Sequence, residues 1–121
     1  MPRTQQIKKN GTDIFHMDFS FLKDKQEIRS VILEGAKFIR SKPAGSVLTL
    51  TNIEGMHFNN EVKELFKDFL SGNKAYVKAG AIVGLNGLQQ ILYNGLMKVS
   101  GRDIKSFTNI ESAAEWLINR N

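Results

Sequence analysis

The chain has 121 residues, 41% of them hydrophobic and 24% charged, a size and composition that predict one packed domain over 1–121 and exclude a disordered chain. It contains no cysteine, which excludes disulfides, thiolate nucleophiles and cysteine-ligated metals together and fits a reducing compartment. Its formal charge of +5 favours anionic partners. The lysines, however, are spread along the chain and alternate with acids, which reads as a solvated surface, so a nucleic-acid partner is not expected.

In chain order, Ile7 to Asp13 contains Asn10-Gly11, a pair that readily takes the positive φ angles of a two-residue hairpin turn. Phe15, Met17, Phe19 and Phe21 then alternate with His16, Asp18 and Ser20, the period of a strand with one buried face, and His16 is expected on its exposed side. Asp24 with Glu27 three residues later has the spacing of a capping box before a helix carrying Ile28, Val31, Ile32, Gly35, Phe38 and Ile39. Pro43 and Gly45 stop that helix, and Ser46 to Thr51 reads as a buried strand.

The polar stretch Asn52 to Asn60 follows, and Asn59 and Asn60 can cap the next helix, whose stripe is Val62, Leu65, Phe66, Phe69 and Leu70. Gly72 is placed to end it. Ala75 to Val83 is short, branched and bounded by Asn73 and Gly84, the pattern of a central strand. Asn86 and Gln89 open a third helix with Leu88, Ile91, Leu92, Leu96 and Val99, which Gly101 closes. A short strand, Ile104 to Phe107, precedes a capping sequence, Thr108 to Glu111, and a last helix packed by Ala113, Ala114, Leu117 and Ile118. Trp116 falls off that helix's stripe.

A hairpin followed by alternating helices and strands predicts an α/β fold with a mostly parallel sheet of four to five strands and about four helices. In such sheets ligands and partners meet the loops at the carboxyl ends of the strands. That rule singles out Asn52 to Asn60 and Gly84 to Gly87.

The order of elements, the Asn52-Ile53-Glu54 loop, and the segments Val77 to Gly84 and Asn94 to Arg102 resemble the STAS domain of anti-sigma-factor antagonists, and in particular the small stand-alone SpoIIAA-like proteins of bacteria. The resemblance spans residues 12–120. It implies a module that works by binding proteins. In the antagonists an Asp-Ser pair opens the helix after this loop and the serine is phosphorylated. Here the stretch reads His57-Phe58-Asn59-Asn60, with no hydroxyl to modify, so a phosphoserine switch is not expected at this place.

His57 near Glu54 and Glu61 is the minimum kit for acid–base work, but no activated nucleophile accompanies it at a recognisable spacing and no metal-ligand set is evident. No catalytic residue, metal or cofactor is assigned. Gly80, Gly84 and Gly87 around a helix start could hold an anion, with Lys78 or Arg102 nearby, although the spacing matches neither a P-loop nor a dinucleotide fingerprint. Met56, Phe58, Leu85, Tyr93 and Met97 could line an apolar depression or belong to the core.

The N-terminus lacks the apolar run of a signal peptide and no stretch is long enough to span a membrane, so a cytosolic location is expected. Two functions are carried forward. One is a non-enzymatic protein-binding or self-associating module. The other is a carrier or sensor of a small anionic or amphipathic ligand. The candidate site residues for both are Asn52, Glu54, His57, Phe58, Asn59, Asn60, Gly84, Asn86 and Gly87.

Overall fold

The computed structural model describes residues 2–120. They form four helices and one five-stranded sheet of order β1-β2-β3-β4-β5, antiparallel between the first two strands and parallel thereafter.

Strands β1 (Thr4–Lys9) and β2 (Thr12–Asp18) make the opening hairpin. Asn10 and Gly11 sit at its tip with φ of 51° and 79°, the left-handed geometry that a tight turn between right-twisted strands requires. Helix α1 (Lys25–Ile39) begins where the Asp24 carboxylate accepts the Gln26 N–H at 2.9 Å. Then follow β3 (Val47–Asn52), α2 (Asn60–Asn73), β4 (Val77–Val83), α3 (Gly87–Ser100), β5 (Lys105–Phe107) and α4 (Ile110–Ile118). The side chain of Leu88, one of the apolar positions expected on α3, lies outside the described residues.

Because each βαβ crossover has the same hand along the order β2 to β5, α1, α2 and α3 all fall on one face of the sheet and α4 returns on the other. The three-helix face buries Phe15, Met17 and Phe19 against Ile28, Val31 and Ile32 of α1, Phe66 and Phe69 of α2, and Leu96 of α3. Each such side chain contributes about 1.5–3 kcal/mol by leaving water. Gly35 on α1 allows this closeness, since a Cβ there would stand 2.9 Å from Met17 Sδ. The α4 face buries Ile14, Leu48, Leu50, Ala81 and Val83 beneath Ala113, Ala114 and Leu117. Strand β3 is covered on both sides, which explains its unbroken apolar and β-branched run.

Three expectations are corrected. Gly72 does not end α2, which continues through Asn73. Asn73 is buried and its carboxamide oxygen accepts from Arg40 Nε at 3.0 Å, while a Cβ on Gly72 would meet Arg40 Nη2 at 2.3 Å. The glycine thus makes room for a guanidinium. The cap of α4 is Asn109 rather than Thr108, its side chain accepting the Ser112 N–H at 2.8 Å. His16 is not an exposed strand histidine: it lies half-buried on the face that α4 shares, and its Nε2 has no hydrogen-bond partner among the described residues. Burial lowers its pKa from the ordinary 6.5, against the opposing pull of Asp18.

Candidate functional site

Strands β2 to β5 run parallel, so their carboxyl ends, the loops leaving them and the N-termini of all four helices share one edge of the molecule. Backbone hydrogen bonds tie these loops together: Phe21 N–H to Glu54 O at 2.8 Å, His57 N–H to Leu22 O at 2.9 Å, and Ile53 N–H to Val83 O at 3.0 Å. Gln89 adds a buried side-chain bond to Met56 O at 3.0 Å. Gly84 has φ +93°, and a Cβ there would stand 2.4 Å from Glu54 N. Two exit loops touch backbone to backbone at this point, and any other residue would force them apart.

Between the exit loops of β3, β4 and β5 lies an open cleft of about 740 Å³, lined by Asn52, Glu54, Val83, Gly84, Leu85, Thr108, Asn109, Ile110 and Glu111. Of the residues proposed from sequence, the structure brings Asn52, Glu54 and Gly84 together here. The third wall, Thr108 to Glu111, reads in the sequence only as a helix cap. The same strand-exit rule that marked the other two loops applies to it, since β5 is also a parallel strand.

The other proposed residues stand apart from the cleft lining and have local roles. His57 is exposed, its Nε2 3.2 Å from the Asn59 amide nitrogen. Phe58 is partly buried on the three-helix core, with its ring stacked 6.0 Å from that of Phe66. Asn59 caps α2 by accepting the Val62 N–H at 3.0 Å, and Asn60 is that helix's first, exposed residue. Asn86 and Gln89 form a reciprocal capping box at α3, each accepting from the other's backbone at 3.1 Å. Gly87 opens α3, with no atom within 4 Å of where a Cβ would stand.

The cleft's charged side chains are the carboxylates of Glu54 and Glu111, which suits hydrogen-bond donors and cations rather than an anion. The two bases considered for an anion are elsewhere. Lys78 is exposed near the start of β4, at the opposite end from Gly84. Arg102 follows the far end of α3, where its guanidinium donates to Leu70 O at 3.1 Å and lies against Gly80, and burial lowers its pKa.

Glu61, one of the carboxylates near His57 in sequence, is instead engaged by Lys25 at 2.7 Å, and that hydrogen bond and charge hold its pKa below the usual range. Among the described residues no group of three His, Asp or Glu is placed to hold a metal ion. Of the two readings of the apolar set, the structure supports core: Met56 and Tyr93 are buried, Phe58, Leu85 and Met97 pack against that core, and a void of only about 20 Å³ remains. Burial, with Asp103 adding and Arg102 opposing, pushes the Tyr93 hydroxyl up to about 12, so it stays neutral.

Comparison of the chain with protein-family models, with curated proteins and with solved structures gives no match.

Proposed function

We propose that this chain is a non-enzymatic binding module of STAS type, which engages a protein partner or a second copy of itself across the cleft at the carboxyl edge of its sheet. The observation that carries this reading is the joining of successive strand-exit loops into one locked surface, through the Ile53 to Val83 hydrogen bond and the backbone contact at Gly84. A preformed surface gives up little conformational entropy on binding. The cleft offers a partner Leu85 and Ile110 as apolar contacts and Glu54, Glu111, Asn52 and Asn109 as polar ones, the mixture found at the rims and centres of protein interfaces. The arrangement of an antiparallel hairpin, three crossover helices on one face and a closing helix on the other also supports the STAS resemblance. The stretch His57 to Asn60 has no hydroxyl, so the reading does not include a phosphoserine switch there.

Affinity capture with the intact chain tests this reading against a Glu54→Lys/Ile110→Asp variant, both positions being exposed enough to change without disturbing the core. The expected result is a specific partner, or a dimer by light scattering, that the variant loses while its circular dichroism is unchanged. Equal behaviour of the two proteins would refute the cleft as the docking place.

A further inference from the structure

Helix α3 carries one charged side chain, Lys98, and no acid along its fourteen residues. On its outer side Ile91 is 69% and Val99 54% exposed, large values for aliphatic residues. They stand eight residues apart with Gly95 midway, a spacing of four and four that places all three along one flank. The neighbouring helix α2 and its C-cap residue Lys74 add charge to this flank. The Nζ of Lys63 lies 3.6 Å from where a Cβ of Gly95 would stand, and that of Lys74 lies 3.0 Å from the corresponding point on Gly101. None of Lys63, Lys74 and Lys98 is in an ion pair among the described residues, whereas Lys67 is held by Glu64 at 3.8 Å.

We infer that the α3 flank formed by Ile91, Val99, Lys63, Lys74 and Lys98 is a peripheral docking surface for an anionic lipid bilayer. This surface is separate from the cleft and does not depend on the reading given for it. The choice of occupant follows from the residue types. Protein interfaces are enriched in Arg, Tyr and Trp and depleted of Lys. Here every unpaired base is a lysine, a hydrated point charge without the planar fork that recognises a fixed carboxylate, while Arg40 and Arg102 are committed to Asn73 and Leu70 inside the fold. Nucleic acid would use the lysines but has no use for exposed aliphatic side chains. A bilayer surface uses both, attracting each lysine by its surface potential and accepting the two aliphatic side chains at the headgroup boundary. No described helix is long and apolar enough to cross a membrane, so the surface would lie on the bilayer.

The test is co-sedimentation of the whole chain with vesicles of phosphatidylcholine alone and of equal parts phosphatidylcholine and phosphatidylglycerol. Binding is expected only to the anionic vesicles and should weaken with salt. Lys63→Gln and Lys98→Gln should each reduce it about fivefold. Ile91→Asn should reduce it at every salt concentration, and Lys9→Gln and Lys37→Gln, each of which lowers the net charge as much as either of those changes but which lie on the hairpin and α1, should each leave it nearly intact.

The inference is overturned if the protein stays in the supernatant of both vesicles. It is equally overturned if the Lys9 and Lys37 changes weaken binding as much as those at Lys63 and Lys98, which would mean that overall charge alone drives adsorption. Retention on an acidic polypeptide that is lost in Ile91→Asn, with no vesicle binding, would assign the flank to a protein instead. All the substituted positions are exposed or half-exposed, so unchanged circular dichroism is expected throughout.

Discussion

The face of the sheet under α1, α2 and α3 is filled by large side chains, with Phe19, Phe66 and Phe69 interlocked at ring-centre distances of 5.1 and 6.2 Å, whereas the face under α4 meets its helix through Ala113, Ala114 and Leu117. Three helices cover the first face and one nine-residue helix covers the second. Small side chains let α4 lie close to β3 and β4, but a helix so short leaves His16 on β2 only half-covered. Its N-terminus also forms one wall of the cleft. Bulk and stability are therefore concentrated on one face, and the other face trades burial for an accessible edge.

The thick face is the more sensitive of the two to loss of bulk. Phe66 touches the rings of Phe19, Phe58 and Phe69, so Phe66→Ala is expected to lower unfolding free energy by about 4 kcal/mol in a urea titration. A loss under about 1 kcal/mol would show that this face does not dominate stability. At the edge where the two faces meet, Gly84→Ala combines a positive φ with a backbone clash against Glu54, and a loss of about 3 kcal/mol is expected in the same titration.

The thin face should respond to added bulk rather than to its removal. Ala114→Leu, at a fully covered site on the sheet-facing side of α4, is expected to destabilise by about 2 kcal/mol and to shift the amide resonances of Thr108 to Glu111, since the helix would lift from the sheet and carry the cleft wall with it. Shifts confined to β3 and β4 would mean that the sheet yields instead.

The smallest effect is pH dependence from His16. Its folded pKa lies below the unfolded 6.5, so the unfolded chain takes up a proton first, and the associated stability is complete above pH 6.5 and declines as pH falls through the window below it. His16→Gln should flatten the stability profile in that window. An unchanged slope would place the responsible group elsewhere, with Asp18, held below its ordinary value, contributing only at lower pH.

Much of the chain is legible without coordinates. The Asn10-Gly11 turn, the Asn86/Gln89 capping box and the Gly101 stop on α3 depend on interactions within a few residues, and each reads correctly from spacing. Gly72 reads wrongly because the same residue type serves two needs, a helix stop and a close approach, and only the position of Arg40, 32 residues earlier in the chain, distinguishes them. His16 reads wrongly for a related reason. Alternation assigns it a face, and whether that face is wet depends on where a helix about a hundred residues later settles. The site is legible in part: the strand-exit rule finds Asn52, Glu54 and Gly84, while His57 and Asn60, farther along the same loop, do not join them.

The sequence alone determined the kinds, order and approximate limits of the helices and strands, because hydrophobic period, caps and turn residues act over distances of a few residues. Tertiary structure decided which loops meet, which glycines are there for space, how deeply His16 is covered, and that α3 leaves Ile91 and Val99 facing water on a flank shared with lysines of α2 and its C-cap. Those properties depend on pairs of residues far apart in the chain, and local patterning carries no information about a distance set by the packing of the whole.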